Sequence, residues 1–231
     1  MVGNNNVAGN TGLTEVAPMT DESVITALIA AQRRELAAVL DGLSARQWDA
    51  PSLCAGWTIR HVVAHLTMPF RYPAPRFLLE LLKSGGRFSR MSDNVARRDA
   101  AMPQAELAAA VRDNAENRWK PPGGGYQGAL THDVIHGLDI TCPLRIERHI
   151  PAETMRIVLD AAAGPRSQRH FGVDTGGAEL RAVDLDWSHG TGAPLLGRAQ
   201  DLALLLTGRQ VPAGAFDTGG AGLAAAARPR R

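Results

Sequence analysis

Cysteine is scarce in this chain: two among 231 residues, Cys54 and Cys142. Two thiols make neither a closed four-thiolate zinc site nor a disulfide framework, and so low a count suits a reducing compartment. An excess of charge of one sign is also missing. Twenty-five Lys and Arg face 23 Asp and Glu, for a net charge of +2. That balance implies no strong field for nucleic acid or an anionic membrane, and the absence of a basic helix or stripe argues against DNA binding; neither a nucleic-acid nor a membrane partner is expected. The terminal RPRR is a short solvated tag. No apolar run reaches the roughly 18 residues of a spanning helix. The opening MVGNNNVAGNTG has neither a basic start nor an apolar block, so no secretory signal is read there. The expectation is a soluble, cytoplasmic protein.

What is present is apolar residue in quantity, 45% of the chain. That suffices for one sizeable core, or a main domain with a smaller appendage. Residues 1–19 are polar and Gly/Asn-rich and are expected to be a disordered tail. From Thr20 or Asp21, Ile25, Leu28, Ile29, Leu36, Val39, Leu40 and Leu43 recur at helical spacing. A second helix opens near Thr58, is broken or kinked by Pro69, Pro73 and Pro75, and resumes in RFLLELLK. A third begins around Pro103 and runs to about Trp119. PPGGG at 121–125 breaks the chain before a fourth helix, about Gln127–Thr141, and a fifth runs from Pro151 to Gly164. Then AVDLDW, 182–187, alternates with period two, as a half-buried strand does. SHGTG reads as a turn, and LLGRAQDLALLLTGR as a helix stopping at Gly208. The sum is a mainly α protein: a helical bundle over 20–165, a small α/β domain over 166–212, and a disordered tail over 213–231.

Two histidine pairs stand out, each four residues apart: His61 and His65, then His132 and His136. Residues i and i+4 share one helix face, so two imidazoles can reach one cation. At about 100° per residue, His65 lies roughly 110° from the centre of the apolar arc of Ile59, Val62, Val63 and Leu66, and His61 roughly 150°. His65 therefore sits at the core boundary and is the natural third ligand beside His132 and His136. His61, three residues after Thr58, is placed to serve the helix start. Between Pro121 and Leu144 there is no Lys, Arg or Glu, so the fourth helix lacks a broad solvated face. Its buried imidazoles need partners, and a cation provides one. Three protein ligands leave an open position, the arrangement of a catalytic zinc. Asp133 and Asp139 are candidate acceptors for the outer imidazole N–H groups; a helix-surface role for them is equally open. Cys54 has no base at a recognisable spacing and reads as a small buried hydrophobe. Trp57 and Trp187 read as core anchors, and His149, His170 and His189 as structural.

QWDAPSLCAGWTIRHVVAHL, followed some 65 residues later by THDVIHGLDI and then by DLDWSHGTGAPLLGRAQDLALLLTGR, resembles the mycothiol-dependent maleylpyruvate isomerase family. That family belongs to the DinB/YfiT-like superfamily of metal-binding four-helix bundles. The resemblance implies a DinB-like four-helix bundle with a small C-terminal α/β domain. It also implies a divalent metal, usually zinc, on the positions of His65, His132 and His136, and mycothiol as co-substrate. In the isomerases proper the position of His132 is commonly Glu and that of His61 frequently Asp, so this chain departs from the pattern at both. The family implies a C-terminal arginine near the active site; Arg209 is the candidate, to hold a carboxylate of substrate or thiol, with Arg198 behind it. The leading reading is an isomerase or thiol S-transferase that joins a small-molecule thiol to an electrophile, as a monomer or homodimer. A metal-dependent hydrolase of amide or thiol conjugates, and a non-catalytic metal- or ligand-binding module, are the alternatives.

Overall fold

The computed structural model describes residues 21–175 and 177–217. The expected tail 1–19 and residues 218–231 of the C-terminal tail lie outside the described residues. The chain is mainly helical, with a small sheet near its C-terminal end.

Helix α1 spans Asp21–Asp41 and turns Ile25, Ile29, Leu36 and Leu40 inward. A short α2, Ala45–Trp48, starts on a capping box in which Ser44 and Gln47 satisfy each other's backbone N–H groups; it buries Trp48. Helix α3, Ile59–Arg71, contains Pro69. A proline lacks the N–H that the His65 carbonyl would otherwise accept, yet the helix continues to Arg71, where Pro73 ends it. Helices α4 (Ala74–Lys83), α5 (Phe88–Asp99), α6 (Gln104–Asp113) and α7 (Gly125–Thr141) follow. Helix α1 packs on α6 and α7, and α3 packs on the same two, so the four close a ring. Helix α8, Ala152–Ala163, covers the outer side of α7.

Beyond α9 (Pro165–Phe171) the chain forms strands β1 (Glu179–Ala182), β2 (Ser188–His189) and β3 (Pro194–Gly197), helix α10 (Ala199–Leu206) and strand β4 (Phe216–Asp217). The sheet order is β2-β1-β3-β4. The central pair β1–β3 is parallel, Leu180 opposite Leu195, and the outer pairs are antiparallel. One core joins this region to the helices: Leu180, Trp187, Leu195 and Leu202 share a cluster with Leu130, Val134, Leu138 and Val158. Among the described residues no helix is long and apolar enough to cross a membrane.

Several elements differ from expectation. Helix α5 falls in a stretch to which the sequence pattern assigns no element; its apolar residues are few, but Met91, Val95 and Ala96 share a buried face. The third helix stops at Asp113, not Trp119, because the carbonyls of Asn114, Ala115 and Asn117 turn aside to accept from the Arg33 guanidinium. The expected strand 182–187 is displaced to Glu179–Ala182. Within AVDLDW, Val183 is exposed and Asp184 accepts from the Ala199 N–H at the start of α10, so the alternation marks a cap and a bend, not a ladder. Residues 195–197, read as the start of a helix, belong with Pro194 to β3. Residues 213–217, assigned by composition to the tail, reach the sheet: Phe216 packs over Gly197, where a side chain would clash with its ring.

Candidate metal centre

The α3–α7 contact brings the three expected histidines together. His65 is buried in α3, and His132 and His136 are half-buried on the facing side of α7. One ligand atom from each lies within 4.8 Å of the others. His65 Nε2 and His132 Nε2 are 3.2 Å apart. Ring centroids are 4.8 Å apart for His65–His136 and 4.7 Å for His132–His136.

The opposite ring nitrogens are already engaged. His132 Nδ1 lies 3.0 Å from Asp133 Oδ1, and His136 Nδ1 lies 2.8 Å from Asp139 Oδ2. An ionised carboxylate only accepts, so the neutral form of either imidazole carries its proton on Nδ1 and presents a lone pair at Nε2. His65 Nδ1 is 2.9 Å from the Ser92 hydroxyl of α5. The residues therefore fit a cation. Nitrogen ligands at 2.0–2.1 Å and tetrahedral angles stand about 3.3 Å apart, close to the observed Nε2 separation.

Each carboxylate is in turn held by an arginine. Arg33 donates from Nε to Asp133 Oδ2 at 2.6 Å, with both side chains buried. Arg209 grips Asp139 with two hydrogen bonds, Nε to Oδ1 at 3.1 Å and Nη2 to Oδ2 at 2.9 Å, while its Nη1 donates to the Thr207 carbonyl. The structure thus places Arg209 on a carboxylate of the protein itself. Arg198 pairs with Asp184 at the start of α10.

Electrostatics favour neutral rings at His65 and His136. Burial pushes His65 well below its ordinary value, and the neighbouring His136 and His132 push the same way. Burial likewise lowers His136, to about 4, although the Asp139 hydrogen bond opposes it. Burial alone would raise Asp133 and Asp139. The His132 hydrogen bond and the Arg33 charge outweigh it at Asp133, the His136 hydrogen bond and the Arg209 charge at Asp139, and both stay below the usual carboxylate range.

Cys54 joins this cluster, which its spacing did not reveal. Its thiol donates to Asp139 Oδ2 at 3.1 Å and lies 3.9 Å from His136 Nδ1. Burial, then the Asp139 charge, pushes the thiol up to about 12. Cys54, His136 and Asp139 form a second close group, but its thiol and imidazole N–H already converge on one carboxylate. Trp57 and Trp119 flank the imidazoles, 5.4 Å from His65 and 5.3 Å from His132 between ring centroids. His61 caps α3: its Nδ1 accepts from the Thr58 N–H at 3.1 Å. His170 packs on Phe171 and His189 on Trp187, outside the cluster. Ser92 and Arg33 were missed in the sequence, since neither carries a spacing signal.

Residues 29–120 match the family model described as "Mycothiol maleylpyruvate isomerase N-terminal domain". Among solved structures, the chain is similar to the mycothiol-dependent maleylpyruvate isomerase, with a TM-score of 0.56 at 13% identity, covering 84% of this chain and 91% of that one. A histidine-to-alanine mutant of such an isomerase gives a TM-score of 0.53 at 12% identity, covering 81% and 89%. At those identities the likeness establishes the fold. No curated protein matches the chain.

Proposed function

We propose that this chain, a member of the mycothiol-dependent maleylpyruvate isomerase family, is a metal- and mycothiol-dependent enzyme, an isomerase or thiol S-transferase acting on a small electrophile. His65, His132 and His136 are the metal ligands in this reading, and zinc suits three neutral imidazoles. Such a cation, when bound, lowers the pKa of a thiol or water and stabilises the anion. The observation that carries the reading is the convergence of one ring nitrogen from each of the three imidazoles, with Nδ1 of His132 and of His136 already held by a carboxylate.

The remaining side chains act on position and charge. Asp133 and Asp139 hold protons on Nδ1 of His132 and His136, fixing ring tautomer and angle. Arg33 and Arg209 keep those carboxylates ionised and immobile. Arg209 then serves through Asp139 as a positioning residue. Neutral ligands leave a bound cation's charge undiminished, which favours an anionic thiol or substrate beside it. Trp57 and Trp119 form aromatic walls on two sides of the imidazoles.

The test is turnover of maleylpyruvate by zinc-reconstituted protein with and without mycothiol. The reading expects conversion that requires both. A reaction that proceeds equally without thiol overturns the thiol-dependent assignment and points to hydrolysis. Tight thiol binding without turnover on any electrophile overturns the enzymatic one.

A further inference from the structure

We propose that the outer face of α4, with the start of α5, is a docking surface for an anionic lipid bilayer. Helix α4 buries no residue although most of it is apolar. Leu78, Leu79 and Leu82 are 55%, 50% and 67% exposed, and Phe88, just after the helix, is 48% exposed. Among the described residues they make up the exposed large hydrophobics together with Val183. At about 100° per residue the three leucines occupy one arc of about 100°. Phe77 and Leu81 lie on the other side and pack against Met68, Tyr72, Met91 and Val95. The helix therefore already has its core face, and the leucine arc is a second apolar face that no packing among the described residues accounts for.

The rim of that face is basic. Arg76 and Lys83 fall about 40–60° beyond Leu79 on the helix, and Arg87 and Arg90 flank Phe88. All four are exposed. From Tyr72 to Ser92 the only carboxylate is Glu80, half-buried beneath Lys83 and Arg98, with which it pairs. Arg76, Arg87 and Arg90 have no carboxylate partner among the described residues.

Charge decides the occupant. A two-fold contact with a second copy would set this cationic rim against itself. Anionic headgroups complement it: leucines and Phe88 enter the acyl boundary while the arginine and lysine stems lie along it with their heads in the headgroup layer. A ten-residue helix lies in that plane and does not span it. The whole-chain charge of +2 conceals the patch, because acidic residues elsewhere cancel it. This inference is independent of the metal centre.

The test is flotation of the full chain with vesicles of phosphatidylglycerol and phosphatidylcholine in equal parts, and with phosphatidylcholine alone. The protein is expected to float with the anionic vesicles, and less so as salt rises. Leu79→Glu with Leu82→Glu should weaken binding about tenfold or more, and Arg87→Glu with Arg90→Glu about tenfold or more. Circular dichroism confirms that the variants fold; should the leucine pair fail, the exposed arginine pair decides alone. No flotation with anionic vesicles, or equal flotation with both kinds, overturns the proposal. So does a concentration-dependent dimer that the leucine pair dissolves, which would assign the face to a second copy.

Discussion

His65 and His132 belong to different helices, yet their Nε2 atoms lie 3.2 Å apart across the α3–α7 contact. A proton or a cation between them turns that approach from repulsive to attractive. On the far side of each ring, Ser92 lies 2.9 Å from His65 Nδ1 and Asp133 3.0 Å from His132 Nδ1.

Removing those outer partners should loosen the metal without dissolving the fold. Asp133→Asn and Asp139→Asn are each expected to weaken zinc affinity about 10–100-fold, measured by competition with a chromogenic chelator. Ser92→Ala should weaken it less, because a hydroxyl polarises imidazole less than a carboxylate does. Wild-type affinity in both aspartate variants would remove Asp133 and Asp139 from the account.

Gly137 lies beneath a buried arginine. A Cβ there would stand 1.9 Å from Arg148 Nη1, and Arg148 is itself tied to Glu35 and Gln32. Gly137→Ala must therefore expel the guanidinium or shift α7 beside His136. The expected cost is about 1–3 kcal/mol, read as a lower denaturant midpoint; an unchanged midpoint would contradict the packing.

The thiols should be inert in the folded state. Burial raises Cys54 to about 12 and Cys142 to about 11, and only thiolate alkylates quickly. Mass spectrometry after iodoacetamide at mildly alkaline pH should find both cysteines unmodified in native protein and labelled after denaturation. Rapid native labelling of Cys54 would mean that its hydrogen bond to Asp139 is not formed in solution.

Asp99 provides an acid-sensitive tie between α3 and α5. Burial alone would raise its carboxyl, but hydrogen bonds from Arg71, Tyr72 and Arg98 outweigh this and hold it below the usual carboxylate range. A depressed folded-state value stabilises fully above the unfolded value, and the contribution is lost as pH falls through the folded one. Asp99→Asn should therefore cost about 1–3 kcal/mol near neutral pH and converge with wild type in strong acid, followed by thermal melts across pH. A gap that persists unchanged into acid would assign the loss to shape, not charge.

The long amphipathic helices and the histidine spacing were legible because each rests on local periodicity. The fourth helix's lack of long charged side chains foretold its burial, and His61 capped the helix whose start Thr58 marked. Ser92 was not legible: α5 has few apolar residues, and the partner of its hydroxyl is 27 residues away. Arg33 reaches Asp133 across 100 residues and looks in sequence like any helix-surface cation. Cys54 was read as a hydrophobe because its hydrogen bond depends on how the 51–58 loop lies against α7. AVDLDW misled because period two arises equally from a strand and from a bend in which one acid, Asp184, caps a helix.

The account's central claim is decided by elemental analysis of purified protein beside its His65→Ala, His132→Ala and His136→Ala variants. It predicts one equivalent of a divalent metal, zinc foremost, in the parent chain and a large loss in each variant whose circular dichroism stays native. Native-like variants that keep a full equivalent, or a parent that binds no added zinc, would contradict it.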